Sequence, residues 1–257
     1  MITDATCIHK IIDETTHAPK LVSVCIPSRG RVKLLKELVE SLLRTVSDLS
    51  RIEIIFRVDE DDPDTIEYVS QVLNAIVVVG SSVGYDNHQS RINDMFAVAK
   101  GRYLLLTGDD HRWQTNGWDD YLQKRSEQIA VVFFGKDTAF AVHSSLPKVW
   151  EKCGAYSYSI DVMYKYLALR LGIYVSHENV EVVDIQLHHS PLTPIPIPGH
   201  EENWRLAKKE VDEFIDLMSA YLLRVGTIPN TYHAGTIMEL FGLPINSQPS
   251  GMPTCIG

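Results

Sequence analysis

Two hydrophobic periods alternate along the first half of the chain, and this alternation restricts the fold more than any other feature. Short apolar runs at Leu21–Ile26, Ile52–Val58, Ala75–Val79 and Tyr103–Thr107 each lead into a polar or glycine-containing exit. Between them, apolar residues recur every three or four positions. Val32, Leu35, Leu38, Val39, Leu42, Leu43 and Val46 form the first such set, Ile66, Val69, Val72 and Leu73 the second, and Ile92, Met95, Phe96 and Ala99 the third. Continuous apolar runs suit strands buried on both faces, and the second period is one face of a helix. The pattern predicts an α/β fold with a mostly parallel sheet flanked by helices. Asp64 is the expected cap of the second helix.

Right-handed crossovers carry the exits of parallel strands to one edge of the sheet. Pro27-Ser28-Arg29-Gly30-Arg31, the acidic run Asp59–Asp62, the Gly80–Asn87 loop and Asp109-Asp110-His111 are expected to converge there. Ligands of open α/β sheets bind at that edge. Adjacent aspartates after a strand serve as turn or capping residues in many chains. Set among three other polar exits, Asp109 and Asp110 suit a hard divalent cation that keeps positions open for phosphate. His111 fits either a ligand or a structural neighbour in the turn. Arg29, Arg31 and Arg91 carry the donor fork that matches phosphate oxygens.

The second half is less regular. Strands are expected at Ile129–Phe134, Thr138–Val142, Ile173–Val175 and Val180–Ile185, with helices near Asp119–Glu127, Pro147–Cys153 and Ile160–Leu171. Trp113 and Trp118 suit packing, or stacking on the face of a ring-shaped ligand. Pro191, Pro194, Pro196 and Pro198 mark an extended linker, Glu201–Leu223 an amphipathic helix, and the remainder a tail or lid. The division expected is a lead-in over 1–19, an α/β domain over 20–190 and a C-terminal extension over 191–257. No apolar run is long enough to span a membrane, and the first ten residues lack the apolar segment of a secretory signal. Cys7, Cys25, Cys153 and Cys255 are scattered, which suits free thiols and a cytoplasmic location. A formal net charge of -9 provides no general attraction to nucleic acid, although a local basic groove stays open.

In order and spacing, these motifs resemble the family 2 glycosyltransferases, inverting enzymes of the GT-A fold, over roughly residues 20–190. The family's Pro-Thr-x-Asn-Arg is matched by Pro27-Ser-Arg-Gly-Arg31, and its Val-Asp-Asp-x-Ser-x-Asp-x-Thr by Val58-Asp-Glu-Asp-Asp-Pro-Asp64-Thr65. Asn93 and Gly101 keep the spacing of the third motif, with Arg91 one place out of register. The Asp-x-Asp position reads Gly108-Asp109-Asp110, without the first carboxylate, and the Glu-Asp position reads Ile160-Asp161.

The resemblance implies a GT-A-like domain with a C-terminal helical extension. It implies transfer of a sugar from a nucleotide donor, UDP-linked by expectation, to an acceptor hydroxyl of unspecified class, assisted by Mn2+ or Mg2+. Asp110 takes the metal-ligand place, with His188 or His189 as the late histidine. Pro27, Ser28, Arg29, Arg31, Arg91 and Asn93 fall along the donor. Asp59 and Asp61 do as well, with Asp59 accepting from the base, and Asp109 faces the ribose or supports the site. Asp161 is the expected general base, with helix capping as its plainer role. Two other readings fit: an inactive GT-A-like binding protein, and a sugar nucleotidyltransferase. The single glycine and missing lysine in Pro27–Arg31 argue against the latter.

Overall fold

The computed structural model describes residues 8–10, 20–82, 88–136, 138–146 and 160–185, with positions 205, 208, 209, 211, 212, 215, 216 and 219 of a C-terminal helix. His188 and His189, the proline-rich linker and the tail lie outside the described residues, as does the expected helix over Pro147–Cys153.

The chain begins with β1 (Ile8–Lys10), β2 (Val22–Ser28), α1 (Val32–Thr45), β3 (Ile52–Asp59), α2 (Pro63–Val69), β4 (Ala75–Gly80), α3 (His88–Val98) and β5 (Tyr103–Leu106). It continues with β6 (His111–Trp113), α4 (Trp118–Gln123), β7 (Val131–Phe134), β8 (Ala139–His143), α5 (Ile160–Leu171), β9 (Tyr174–His177) and β10 (Val182–Asp184). An eight-stranded sheet has the order β1-β4-β3-β2-β5-β8-β7-β9, and β10 and β6 form a separate antiparallel pair. β2 lies parallel to both β3 and β5, and β3 lies parallel to β4. β1 and β8 run against their neighbours.

Successive strand residues face opposite sides of the sheet, so each strand feeds two cores. Val24, Ile26, Ile54 and Phe56 join Leu35, Leu38 and Leu42 of α1 and Trp118 and Leu122 of α4 on one side. Cys25, Ile55, Leu104 and Leu106 join Ile92 and Met95 of α3 and Met163, Tyr164 and Leu167 of α5 on the other. Val211 and Ile215 of the C-terminal helix are buried in that second core. The long helix therefore packs on its own domain, and Asp212 meets Arg170 of α5 at 2.6 Å.

Several sequence expectations shift. α2 is capped by Asp62, whose side chain accepts from the Thr65 N–H, because Pro63 takes the first helical position, where its missing N–H costs nothing. Asp64 lies inside the first turn. α2 stops at Val69, which leaves Leu73 85% exposed, and Leu43 also faces outward. β2 runs on to Ser28, carrying that hydroxyl to the sheet edge. Trp113 and Trp118 are fully buried with ring centroids 5.0 Å apart, so both pack the core and neither is open to an acceptor sugar.

Candidate functional site

The parallel strands β2, β3, β4 and β5 end at one edge, and charged side chains from the exits of β2, β3 and β5 and from α3 interlock there in two groups.

The first group surrounds Asp59. This carboxylate is buried at the end of β3, and three arginines donate to it: Arg57 to Oδ1 at 2.9 Å, and Arg29 and Arg91 to Oδ2 at 2.7 and 3.0 Å. Arg57 also holds Asp94 of α3 at 2.8 Å, and Arg29 grips the half-exposed Asp61 with two nitrogens. That grip holds the Asp61 carboxyl below its ordinary range. Gly30 has φ 66, a left-handed conformation that suits glycine, and its N–H donates to Asp62 at 2.6 Å. The polar turn after β2 is thereby fastened to the acidic exit of β3. Asn93 is half-buried on α3.

The second group surrounds the turn after β5. Asp109 is fully buried and accepts from Ser28 Oγ at 2.7 Å and from Arg31 Nε at 3.1 Å, while Arg31 Nη2 pairs with its other oxygen. Burial pushes the Asp109 carboxyl up to about 6, with Arg31 and Ser28 pulling it down and Asp110 adding to the rise. Asp110 is partly exposed, and its Oδ2 receives Arg31 Nη1 at 3.2 Å. Arg112, nearly buried, bonds the carbonyl oxygens of Asp109 and His111 at 3.1 and 2.7 Å and pairs with Glu37 of α1. The turn is held by two arginines, Arg31 and Arg112.

Asp110, His111 and Asp184 each offer one ligand atom, all within 4.8 Å of one another. β10 delivers Asp184 by pairing it with His111, and the next residue's N–H bonds the Asp110 carbonyl at 3.1 Å. His111 Nε2 lies 4.0 Å from Asp110 Oδ1. Its Nδ1 accepts from the Gly108 N–H at 3.1 Å and lies 3.0 Å from Thr107 Oγ1. With Nδ1 accepting, the neutral ring carries its proton on Nε2; ligation through Nε2 takes the other tautomer, in which Nδ1–H donates to Thr107 Oγ1 and the Gly108 bond is given up. Burial lowers the His111 pKa, against the opposing pull of Asp110 and Asp184, which favours the neutral ring that ligation requires. Gly108 forms the back of this cradle: a Cβ there would stand 2.5 Å from Asp110 Oδ1 and 3.2 Å from His111 Nε2. Carboxylate and imidazole donors converging where residue 108 has no side chain fit a divalent cation.

Sequence reasoning missed Asp184 and left His111 undecided. The available signal was an acid interrupting the apolar Val180–Ile185 stretch. The strand pairing that brings it to His111 is long-range. Asp161 is exposed in the first turn of α5, and none of the contacts linking the two groups includes it.

The Glycosyl transferase family 2 sequence profile matches residues 23–164. No curated protein sequence matches the chain. Among solved structures, S. aureus TarS 1-349 in complex with UDP-GlcNAc superposes with TM-score 0.56 at 14% identity, covering 79% of this chain and 72% of that one. The complex of the same protein with UDP gives 0.55 at 13%, covering 86% and 75%. Full-length TarS gives 0.55 at 12%, and there the match spans 88% of this chain and only 46% of its own. At these identities the likeness establishes a shared fold, the GT-A-like α/β sheet. Among the described residues, no helix is long and apolar enough to cross a membrane.

Proposed function

Because this chain belongs to glycosyl transferase family 2, we propose that it transfers a sugar from a UDP-linked donor to an acceptor hydroxyl, with inversion and with the help of Mn2+ or Mg2+. The observation that carries this reading is the convergence of Asp110, His111 and Asp184 within 4.8 Å, beside Arg31, at the exits of parallel strands. Asp110, His111 and Asp184 would hold the cation, which when bound supplies positive charge against the leaving diphosphate.

The chain's own residues do the remaining work. Arg29, Arg31 and Arg91 supply positive charge at the edge where a diphosphate would lie. Pro27, Ser28 and Asn93 shape the donor side. Asp109 does not reach outward: it is a buried anchor that fixes Arg31 and Ser28. Asp59 and Asp61 serve the donor chiefly by setting the arginines, and the free capacity of Asp61 suits an N–H of the base. Asp161 is the proposed base. Taking the acceptor proton as the new bond forms makes the hydroxyl nucleophilic, and attack from the face opposite the diphosphate inverts the anomeric centre. Cys25 is buried as a free thiol, which agrees with a reducing, cytoplasmic setting.

A thermal-shift panel of UDP-glucose, UDP-GlcNAc and GDP-mannose, each with and without Mn2+, tests the reading. UDP sugars head the panel because a fold neighbour was solved with UDP-GlcNAc. A UDP sugar is expected to raise the melting temperature only when Mn2+ is present. No shift with any donor in either condition overturns the proposal.

A further inference from the structure

We propose that Arg31 couples the two ligands of this site, opposing the cation when it arrives alone and favouring it once a nucleoside diphosphate is present; this rests on the metal reading above. Arg31 stands at the N-cap of α1 and makes no side-chain capping bond there, while its guanidinium reaches Asp109 and Asp110. Two of its nitrogens hold Asp109, which is fully buried and also tied to Ser28. The third, Nη1, meets Asp110 Oδ2 at 3.2 Å in a partly exposed contact. One end of the guanidinium is anchored and the other is exchangeable.

Asp110 is thus shared. Its Oδ2 faces Arg31, and its Oδ1 faces His111 Nε2 across 4.0 Å and fills the space left by Gly108. A cation held by Asp110 would stand one carboxylate away from a fixed positive charge. Like charges at that separation in a half-buried site repel. A diphosphate changes the balance because its oxygens pair with both positive groups. Nη1 turns from Asp110 to a phosphate oxygen while Nε and Nη2 keep their hold on Asp109, and the full charge of Asp110 passes to the cation. Cation and diphosphate therefore bind with positive coupling, and by linkage each tightens the other by the same factor.

The test measures Mn2+ binding to the full chain without nucleotide, from the free-ion EPR signal, and UDP binding by calorimetry with and without Mn2+. It uses the wild type, Arg31→Gln, Arg31→Lys and Asp110→Ala, each checked for native circular dichroism. In the wild type, Mn2+ is expected to tighten UDP binding at least tenfold. Arg31→Gln is expected to bind Mn2+ alone about tenfold more tightly than wild type and to lose most of the Mn2+ effect on UDP. Arg31→Lys keeps the charge without the fork and is expected to bind Mn2+ alone as weakly as wild type while showing reduced coupling. If Arg31→Gln binds Mn2+ no more tightly than wild type, or retains the full effect on UDP, the coupling role is wrong. If Asp110→Ala binds Mn2+ as wild type does, the metal reading itself fails and takes this proposal with it.

Discussion

Arg112 pairs with Glu37 of α1 while its other terminal nitrogen bonds the carbonyl oxygens of Asp109 and His111. The turn that bears the candidate ligands is therefore fastened to α1 twice, through Glu37 on the helix and through Arg31 at its N-cap. Arg112→Ala leaves two carbonyls without their donor at a nearly buried position, which is expected to cost about 2 kcal/mol in urea unfolding. Donor affinity by calorimetry should fall at the same time. Glu37→Ala, which removes only the half-exposed partner, should change stability far less. Equal effects from the two variants would show that the carbonyl bonds matter little.

Gly108→Ala places a methyl where Asp110 Oδ1 and His111 Nε2 converge. Side-chain ends can move aside, so the melting temperature should change by only a few degrees. Mn2+ affinity, measured by EPR, should drop at least tenfold because the ligand atoms are pushed apart. Unchanged affinity would remove the cradle from the cation's site.

Asp109 makes stability depend on pH. Its folded pKa of about 6 lies above the ordinary aspartate value. The native state therefore binds this proton more tightly than the unfolded chain does. The resulting stabilisation is complete below about pH 4 and disappears as pH rises through about 6. In metal-free urea titrations, wild type should lose on the order of 2–3 kcal/mol relative to Asp109→Asn between pH 4 and 7. A difference that stays constant over that range would contradict the assignment.

Asp59 stands among Arg29, Arg57 and Arg91 with its carboxylate buried. Asp59→Ala leaves three guanidinium groups facing a vacated position, and about 3–5 kcal/mol of destabilisation is expected in urea unfolding. Asp61→Ala, at a half-exposed position, should cost under about 1 kcal/mol and should instead weaken UDP binding. The opposite ranking in stability would mean that Asp59 is held less firmly than its three arginines imply.

Asp161→Asn should abolish sugar transfer, assayed with the donor identified in the thermal-shift panel, while leaving Mn2+-dependent donor binding within about twofold of wild type. Normal transfer would exclude Asp161 as the base.

The strand–helix alternation was legible because each period reports one local geometry. Cys25 and Val24 sit on opposite faces as their alternation requires, and the exits of β2, β3 and β5 meet as the crossover rule requires. Long-range pairing was not legible. Asp184 reaches His111 only because β10 pairs with β6 in one register, and a shift by a single residue would turn its side chain away. Charge pairing was hidden too. Arg29 and Arg31 read in sequence as phosphate ligands, yet each is engaged by two aspartates from other strand exits. The Asp62 cap was missed for a local reason, because Pro63 occupies the first turn and shifts the cap one residue earlier than Pro itself.

The burial of Val211 and Ile215 sets how short this protein can be made. The family-matched stretch ends at residue 164, yet the core beside α5 is closed by side chains nearly fifty residues later. A chain truncated after residue 190 would bare Met163, Leu167 and their neighbours to water. Such a fragment would contain every residue of the candidate cation site and still present a sticky apolar face. It is expected to self-associate, and activity measured on it would report on that association as much as on its chemistry.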